Sequence, residues 1–571
     1  MKLLIKYLKP FFGRMTLGLM IKILGTIMDL LIPYILEHII DKVIPLGAMK
    51  PIFFWGILMI VCSVGGLAGN IIANRMASAV ARDATREIRH DLFTRISYLS
   101  SKQIDEITIP TLETRLTSDT YNIHHMTGMM QRIGVRAPIL LIGGVAMTFV
   151  MEPVLALVMV SVLPLITAAV MLISKKGIPL FKAQQQRSDD MVQVVRESAQ
   201  GIRVIKALSK TDYEKNKFEE RNLAVSAAER KSAITMGLTS PLMNAFLNVG
   251  MAAVILVGAY RVNGGKAEAG MVIAFMSYFT IILNAMLSIT RMFTLYSKGA
   301  ASAIRIAEVM ETPSDLAVSD DRTVYDSESI IRFDDVSFSY NGMKRTLSDI
   351  DFSLKKGQTL GIIGATGSGK STLIQLLLRF YDVDSGRVLV DGRDVRSYEP
   401  TELRAKFGTA LQSDFIFSGT VLENIDFGRN LDMSGIESAA DAAQAKEFIS
   451  ALDDGYGYML NSKGTNLSGG QRQRVLISRA LAAKPEILIL DDSSSALDYK
   501  TDSKLRADLR AGYAEATKVI IAQRVSSIAH ADMILVIDKG RIIGKGTHGE
   551  LLSSCPEYRE ISDSQIGGTV E

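Results

Sequence analysis

A run of eight residues in the second half of the chain has the composition and spacing of a phosphate-binding loop. Its sequence is Gly364-Ala365-Thr366-Gly367-Ser368-Gly369-Lys370-Ser371, and Thr372 follows it. Closely spaced glycines allow backbone N–H groups to surround an anion. A lysine at this place reaches the β- and γ-phosphates of a nucleoside triphosphate, and the serine hydroxyl ligates Mg²⁺. The run therefore predicts a site for ATP and Mg²⁺.

The sequence on either side favours a functional loop over a chance match. The segment Thr359–Ile363 predicts a strand before the loop, and Thr372–Phe380 has a helical pattern after it. Strand, glycine loop and helix is the order in which this motif binds phosphate, because the N-terminus of the helix adds a positive dipole. We therefore expect backbone N–H groups and helix dipole to act on the same anion.

Two more segments in this half of the chain carry groups suited to the same chemistry. Ile487–Leu490 predicts a buried strand that ends in Asp491, a carboxylate placed to hold Mg²⁺. A second anion nest opens a helix that is predicted to run to about Ala483. Its residues are Leu467-Ser468-Gly469-Gly470-Gln471. Taken alone, this second run is explained equally well as a plain helix cap.

The elements around these segments predict a mostly parallel α/β domain. Strand patterns such as Ile331–Ser339 and Val388–Val390 alternate with helical patterns. Such alternation implies a parallel sheet that is covered by helices. We assign residues 331–565 to a P-loop nucleotide-binding domain, and residues 311–330, rich in Ser, Asp and Thr, to a linker.

The first half of the chain is dominated by apolar segments that are long enough to span a membrane. About 20 residues at ~1.5 Å rise cross the hydrocarbon core. The predicted fold class is therefore an all-α six-helix transmembrane domain, residues 1–310, fused to the α/β P-loop nucleotide-binding domain. The six predicted spans cover approximately residues 15–46, 51–75, 127–151, 153–175, 232–261 and 269–298.

The positive charges between the spans predict the orientation of the chain. Residues 1–14 hold four Lys or Arg, residues 75–126 hold seven and residues 175–231 hold thirteen, whereas the other loops hold very few. Because Lys and Arg favour the cytoplasmic side, both termini are expected in the cytoplasm of a multi-pass plasma-membrane protein. The two long basic segments are rich in helix-forming residues and predict helices that continue into the cytosol.

The composition excludes several other classes of protein. A formal net charge of +4 is too small to indicate nucleic-acid binding, and 48% hydrophobic residues favour a membrane protein. Cys62 and Cys555 lie far apart, so neither a disulfide nor a Cys/His metal site is expected. Four charged residues inside or beside the predicted spans either line a cavity or form salt bridges between helices. They are Asp29, Arg132, Arg136 and Arg291.

These motifs, in this order, resemble an ABC transporter half-subunit of the exporter type, and the resemblance covers essentially the whole chain. Tyr340 resembles the aromatic residue that stacks on adenine, and Gln412 matches the loop that senses Mg²⁺. Ser495-Ala496-Leu497-Asp498 matches the segment that crosses the interface between two nucleotide domains. The resemblance implies a head-to-tail pair, in which each ATP lies between one chain's phosphate loop and the other chain's Leu467–Gln471 signature.

The chain departs from the family at two catalytic positions. The family places a Glu after Asp491 as general base, where this chain has Asp492, and a His before Arg524, where this chain has Gln523. The carboxylate of Asp492 is one methylene shorter, although a general base must lie within hydrogen-bond reach of the attacking water. A glutamine contacts phosphate but cannot relay a proton. We therefore predict that this site binds ATP and hydrolyses it slowly.

An intact signature beside a weakened catalytic pair predicts a heterodimer. In a head-to-tail pair the signature of this chain serves the ATP of its partner. The expected partner is a second ABC half-transporter that carries the consensus Glu and His and an altered signature. As an enzyme, the assembly is expected to be an ATP-dependent translocase.

Two cytoplasmic segments resemble the parts that transmit force between the nucleotide and membrane domains. They are Thr111–Asn122, between the second and third spans, and roughly Ala207–Phe218, between the fourth and fifth. Either segment is also explained as an ordinary solvated helix face.

The expected function is that of a subunit in a bacterial ATP-driven exporter of hydrophobic or amphipathic small molecules such as drugs. The chain has 27 methionines, many of them in the spans, and this suits an adaptable apolar cavity, although methionine also serves as ordinary packing. The alternatives within transport are a lipid flippase and a peptide or siderophore exporter. An ATP-regulated channel or sensor is the alternative from a different class.

Overall fold

The chain divides into two units in the computed structural model, which describes residues 2–566 apart from 327, 341, 343, 344, 413 and 494. The first unit comprises Met1–Ser97 and Pro110–Thr312, and we call it the helical unit. The second comprises Tyr98–Ile109 and Pro313–Glu571, and we call it the α/β unit. The division confirms the predicted fold class, in which helices precede an α/β domain.

Long α-helices make up the N-terminal half of the chain. Short 3-10 or π turns interrupt them at Lys9–Phe11, Ile39–Val43, Ile44–Leu46 and Arg115–Asp119. The α-helices are α1 (Lys2–Leu8), α2 (Phe12–His38), α3 (Met49–Ser97), α4 (Ser101–Ile107), α5 (Ile109–Thr114), α6 (Thr120–Met151), α7 (Pro153–Gln200), α8 (Ile202–Ala207), α9 (Thr211–Gly237), α10 (Thr239–Asn263) and α11 (Ala269–Glu311).

Six helical stretches in the described part of the chain are long and apolar enough to cross a membrane, as the sequence predicts. Each has 43 to 53 residues, which is roughly 65–80 Å of helix and about twice the ~30 Å hydrocarbon core. The helices therefore extend well beyond a bilayer. The six stretches are Leu3–Leu46, Met49–Ser97, Ile109–Met151, Pro153–Gln200, Thr211–Asn263 and Ala269–Glu311.

Two predicted spans contain a break that the hydropathy pattern does not reveal. Within residues 15–46 the α-helix ends at His38 and continues as the π segment Ile39–Val43. Within residues 232–261 the helix α9 ends at Gly237 and α10 begins at Thr239. Pro241 explains the second break, because it has no N–H for the carbonyl four residues earlier.

A buried carboxylate joins the π turn Arg115–Asp119, just before α6, to α11 inside the helical unit. Asp119 is 1% exposed and accepts hydrogen bonds from Ser302 Oγ at 2.8 Å and Arg305 Nε at 3.0 Å. Arg115 donates to the same carboxylate at 3.1 Å. A buried charge is stable only with such partners. The predicted coupling segment Thr111–Asn122 is therefore packed into the helical unit.

The short helix α4 belongs to the α/β unit instead. Ser100 caps it, because Gln103 donates its backbone N–H to Ser100 Oγ at 3.1 Å. The Gln103 amide donates to Pro313 O at 2.6 Å, and Ser100 Oγ donates to Asp315 at 2.9 Å. The structure thus places Tyr98–Ile109 in the same unit as the nucleotide motifs, and the role of Thr111–Asn122 as a coupling segment stays a prediction.

Strands and helices alternate through the α/β unit. The strands are β1 (Ser329–Phe338), β2 (Leu347–Lys355), β3 (Thr359–Gly364), β4 (Ser385–Val390), β5 (Arg393–Asp394), β6 (Phe407–Ala410), β7 (Gly419–Thr420), β8 (Met459–Leu460), β9 (Ile487–Asp491), β10 (Thr517–Ile521), β11 (Met533–Asp538) and β12 (Arg541–Gly546). The helices are α12 (Lys370–Leu377), α13 (Pro400–Ala405), α14 (Val421–Asp426), α15 (Met433–Ala442), α16 (Lys446–Ser450), α17 (Gly469–Ala482), α18 (Tyr499–Gly512), α19 (Val525–Ile528), α20 (His548–Ser554) and α21 (Pro556–Ile566).

A six-stranded sheet in the order β12-β11-β3-β10-β9-β6 forms the centre of this unit. Neighbours from β11 to β6 run parallel, and β12 is an antiparallel edge strand. The parallel strands are almost continuously buried, as is usual where helices cover both faces of a sheet. A second, antiparallel sheet has the order β2-β1-β4-β5.

A candidate nucleotide-binding site

The predicted phosphate loop opens onto a cavity of about 340 Å³ in the α/β unit. The cavity brings together the loop, Gln412, both consecutive aspartates and Gln523, as the sequence predicts. Thr346 and Ile521 also line it, and no sequence motif marks either of them. The lining residues are Thr346, Thr366, Gly367, Gly369, Lys370, Ser371, Thr372, Gln412, Asp491, Asp492, Ile521 and Gln523.

The parallel register of three strands places these groups at one edge of the sheet. Ile521 of β10 lies level with Ile362 of β3 on one side and with Asp491 of β9 on the other. The phosphate loop follows β3 after Gly364, and Gln523 follows β10 by two residues. Because the strands end together, residues more than 150 positions apart in sequence face the same cavity.

Two glycines of the loop adopt backbone conformations that other residues rarely tolerate. Gly367 has φ +79° and Gly369 has φ +104°. A Cβ on Gly369 would lie 2.7 Å from Leu347 Cδ2 and 3.2 Å from Thr346 O. The loop therefore needs glycine at position 369 for both its backbone angle and its space.

The Gly369→Ala variant should lose ATP affinity and lower the thermal midpoint of the α/β unit. A left-handed alanine costs ~1–2 kcal/mol and overpacking against Leu347 adds ~1–3 kcal/mol. Gly512→Ala is the matched control, since no described atom lies within 4 Å of its Cβ position at the end of α18. Calorimetric ATP titration and thermal melts of the two variants provide the measurement. If both variants lose the same ATP affinity and the same thermal stability, backbone strain and crowding at position 369 do not explain the effect.

Lys370 lies over the loop, where its ammonium can bind an anion. Its ammonium donates to Gly364 O at 2.9 Å and to Ala365 O at 2.8 Å. Burial lowers the pKa of Lys370, while the nearby Asp491 and Asp492 oppose that shift. A phosphate group would offer this buried ammonium stronger, charge-assisted hydrogen bonds than the two carbonyls do.

Three oxygen donors on the cavity wall have the chemistry that Mg²⁺ requires. They are the Ser371 hydroxyl, the Gln412 amide oxygen and the Asp491 carboxylate. Asp491 is 4% exposed, and its burial raises the pKa of the carboxyl against the lowering effect of a Ser371 hydrogen bond. Oxygen ligands of this kind suit a hard divalent cation, so the residues present fit the predicted metal.

The two residues that depart from the family pattern are bonded to each other. Gln523 Nε2 donates to Asp492 Oδ2 at 2.7 Å. The Asp492 backbone is also fixed, since its N–H donates to Ile521 O at 3.0 Å and Ser495 Oγ donates to its carbonyl at 2.9 Å. Burial raises the pKa of the Asp492 carboxyl, and the Gln523 hydrogen bond opposes the shift.

Asp492 also has an unusual backbone conformation, with φ +51°. Left-handed non-glycine residues are uncommon and cluster at functional sites. The Gln523 bond and this turn together fix the direction in which the short carboxylate points. Sequence reasoning identified both residues but did not predict that they pair.

Tyr340 stands near the loop but does not line the cavity. It is 37% exposed, and its hydroxyl bonds to Gln375 Oε1 at 2.5 Å and to Thr372 Oγ1 at 3.1 Å. The Tyr381 ring meets its ring edge-on, with centroids 5.2 Å apart. The Tyr381 hydroxyl in turn bonds to Asp105 of α4. A chain of contacts thus leads from the predicted adenine aromatic to α4, and no local sequence signal reveals it.

The signature run lies outside the cavity. Ser468 caps α17, since Gln471 donates its backbone N–H to Ser468 Oγ at 3.3 Å. Ser468 and Gly469 are exposed at the start of that helix. The capping box confirms the plain structural role that the sequence left open for Ser468.

The predicted interface segment lies against the signature. A Cβ on Gly470 would lie 3.1 Å from Ala496 O, so glycine allows the two backbones to approach closely. Leu497 is 5% exposed and belongs to the core of this region, whereas Ser495, Ala496 and Asp498 are exposed. The signature and the interface segment thus form one exposed surface of the α/β unit.

Comparison with known proteins agrees with these motifs. Residues 15–286 match the ABC transporter transmembrane region, and residues 347–495 match the ABC transporter family. An uncharacterized ABC transporter ATP-binding protein of Mycobacterium tuberculosis is 33% identical over 99% of this chain and 98% of its own length. A Bacillus subtilis protein of the same description is also 33% identical, again over 99% and 98% of the two chains.

A longer relative and a solved structure extend this comparison. A Mycobacterium bovis multidrug efflux ATP-binding/permease protein is 30% identical over 95% of this chain and 46% of its own length. The structure of a bacterial Atm1-family ABC exporter with ATP bound has the same fold, with a TM-score of 0.83 and 24% identity over 98% of this chain and 99% of that one. The chain therefore belongs to the ABC transporter family, and it is an ATP-driven half-transporter that carries a six-helix membrane region and an ATP-binding domain on one polypeptide.

Proposed function

We propose that the chain is one subunit of a heterodimeric exporter, and that its own ATP site hydrolyses slowly. The hydrogen bond from Gln523 to Asp492, at 2.7 Å, is the observation that carries the proposal. A Glu general base needs an uncommitted carboxylate near the attacking water. Here the carboxylate is one methylene shorter and already accepts an amide N–H.

The signature of this chain also supports a heterodimer in which this chain's own ATP site is slow and the partner's site is fast. It is intact in sequence, lies outside the chain's own cavity and exposes Ser468 and Gly469. The exposed N-terminus of α17 suits the phosphates of a nucleotide held by another subunit, because the start of a helix carries a positive dipole. The partner would then contribute the phosphate loop, the Glu and the His of the fast site.

We further propose Mg²⁺ as the cation of the chain's own site. Ser371, Gln412 and Asp491 would hold it beside the phosphates. The metal would neutralise charge that develops on the phosphate oxygens. In this proposal Lys370 binds the phosphates, and Asp492 holds a water loosely.

The proposed cargo is a hydrophobic or amphipathic small molecule, moved out of the cell across the plasma membrane. The multidrug efflux protein of Mycobacterium bovis, which is 30% identical over 95% of this chain, supports this choice. The proposed orientation has both termini in the cytoplasm, because Lys and Arg concentrate in the loops on that side.

Affinity purification of the tagged chain from its native membrane tests the heterodimer. A second half-transporter of the same layout should co-purify, with Glu and His at the positions of Asp492 and Gln523. ATP turnover of the pair should exceed that of this chain alone by about 100-fold or more. A homodimer that hydrolyses ATP as fast as the co-purified sample would contradict the proposal.

Tyr340 is proposed to stack on the adenine. The Tyr340→Ala variant should bind ATP about 10-fold more weakly, because stacking of a base on an aromatic ring is worth ~1–3 kcal/mol. Tyr340→Phe should bind ATP as the wild type does, since it keeps the ring. Inorganic tripolyphosphate, which has no base, provides the control ligand in the same calorimetric titration. Equal losses for ATP and tripolyphosphate would show that Tyr340 supports the loop instead.

A further inference from the structure

Six polar side chains from three helices lie within the predicted spans of the helical unit. Their spacing along each helix is four or seven residues, so the members on any one helix share a face. We call this group the polar seam. It consists of Lys22 and Asp29 on α2, Asn70 and Asn74 on α3, and Arg132 and Arg136 on α6.

Hydrogen bonds connect the seam across all three helices. Lys22 donates to Asn74 Oδ1 at 2.9 Å. Asp29 Oδ2 accepts from Asn70 at 3.2 Å and from Arg136 at 2.9 Å. One turn away, Arg132 donates to Ser78 Oγ at 2.7 Å. The seam is therefore continuous from α2 through α3 to α6.

The seam carries more positive than negative charge. Lys22, Arg132 and Arg136 contribute three cations, and Asp29 contributes one anion. Within the described residues, only Arg136 has a carboxylate within salt-bridge distance. Lys22 is 3% exposed, yet its acceptor is a neutral amide. Uncompensated cations at membrane depth are expensive, so two of them in one seam indicate a function beyond packing.

Arg132 also has an unused hydrogen-bond donor. Its Nε is buried and has no partner among the described residues. A buried donor whose hydrogen bond is unmade is destabilising, and more so when the group is charged. A guanidinium with an unused N–H suits an oxyanion as ligand, because an oxyanion can accept two parallel N–H bonds.

A cavity of about 340 Å³ lies beside the seam, between α2, α6 and α11. Asp29 and Arg136 form its charged end, and Asn284 and Ser288 of α11 add two neutral polar groups. The rest of the lining is apolar, from residues such as Leu140 and Ile281. The volume is within the range of small-molecule sites, and such a lining suits an apolar body that carries one polar group.

We propose that the polar seam selects an amphipathic organic anion as the cargo. The oxyanion of the cargo binds at Arg136, which lines the adjoining cavity, and the apolar body of the cargo occupies that cavity. Arg132 lies one helical turn away, outside the lining, and adds positive charge to this end of the cavity. The excess of two positive charges favours an anion over the cationic drugs that a single Asp29 would attract. This inference deepens the proposed exporter function and rests on it.

Two dyes with the same xanthene core but opposite charge test the proposal. The full-length protein, purified with its co-purifying partner in phosphatidylcholine nanodiscs, is titrated with fluorescein and with rhodamine 6G, and binding is followed by fluorescence anisotropy. Fluorescein should bind at least tenfold more tightly than rhodamine 6G. Arg132→Gln should weaken fluorescein binding about tenfold, and Arg132→Lys should restore part of it, because the charge returns. Lys266→Gln, an exposed loop cation, is the matched control.

Several results would overturn the proposal. They are tighter binding of rhodamine 6G, no binding of fluorescein, and equal fluorescein affinity in wild type and in an Arg132→Gln protein that elutes as the same assembly on size exclusion.

A separate titration repeats the fluorescein measurement in nanodiscs that also contain phosphatidylglycerol. Competition by this lipid would support the oxyanion site but identify a lipid headgroup as its source. If fluorescein binds as expected yet ATP drives no uptake into inside-out vesicles, the exporter function fails and the anion site stands.

Discussion

The double variant Asp492→Glu/Gln523→His should raise the ATP turnover of this chain, expressed alone, by about 100-fold. The chain has an intact signature, so a forced homodimer of the variant would assemble two complete catalytic sites. The wild-type homodimer has the same signatures but carries the shorter Asp492 carboxylate and no His at position 523. The comparison therefore measures the effect of these two residues on ATP turnover, with every other part of the site unchanged.

The physical reason is the geometry of the Asp492 carboxylate. Gln523 holds it through a 2.7 Å hydrogen bond, and a left-handed backbone fixes its starting point. A Glu side chain extends one methylene farther toward the attacking water, and a displacement of ~1 Å changes rate by about 100-fold. A His at position 523 adds an N–H donor that can also carry charge, which an amide cannot.

Single variants provide the matched controls for this result. Asp492→Glu alone should recover part of the turnover, and Gln523→His alone should recover less, because a short base remains. Steady-state phosphate release at saturating ATP measures all four proteins. If the double variant turns over no faster than the wild type while it binds ATP equally well, the two substitutions do not explain slow hydrolysis.

The Lys370→Ala variant should weaken ATP binding to the chain's own site by about 100-fold. Lys370 is the cation of the phosphate loop, and each hydrogen bond to a charged group contributes about 1.5–3 kcal/mol. Its ammonium already lies 2.8–2.9 Å from two loop carbonyls, so it needs little rearrangement to reach a phosphate. Calorimetric titration of the chain with ATP, in the presence of Mg²⁺, gives the dissociation constant directly.

Lys356→Ala is the control for the loss of one positive charge outside the cavity. Lys356 is exposed near the start of β3 and does not line the cavity. Lys370→Arg tests geometry, since a planar guanidinium keeps the charge but does not reproduce an ammonium inside a narrow loop. Equal ATP affinities for Lys370→Ala and Lys356→Ala would show that the loop does not bind the phosphates.

The spans and the phosphate loop are predictable from sequence because their signals are local. Hydropathy over about 20 residues depends on no distant contact. The loop from Gly364 to Ser371 lies between a strand and a helix in the chain itself. The helix after the loop is shifted by two residues at its start and three at its end, to Lys370–Leu377 where the sequence indicated Thr372–Phe380. Such shifts follow from caps and end turns, which hydrophobic patterns do not record.

The contacts that join distant segments could not be predicted in the same way. The Gln523–Asp492 bond links residues 31 positions apart, and the Tyr381–Asp105 bond spans 276. Their existence depends on how β9 and β10 align and on where α4 packs. The assignment of Thr111–Asn122 and Tyr98–Ile109 to different units likewise depends on packing alone, because the two segments are neighbours in sequence.

The contacts of the charged residues in the spans could not be predicted from the local sequence either. The sequence left Asp29, Arg132 and Arg136 either as salt-bridge partners or as cavity-lining residues. Both descriptions apply, since Arg136 pairs with Asp29 and the two together line the cavity beside the polar seam. Arg132 instead bonds to Ser78, a residue that carries no signal of its own.

ATP turnover by the purified chain without a partner is the measurement that tests the central claim most directly. At saturating ATP and Mg²⁺, the wild-type chain should bind one nucleotide per polypeptide and release phosphate slowly. The Asp492→Asn variant should release it at nearly the same low rate. Rapid phosphate release that Asp492→Asn abolishes would show that Asp492 is an effective base, and it would contradict the account of a slow site completed by a partner.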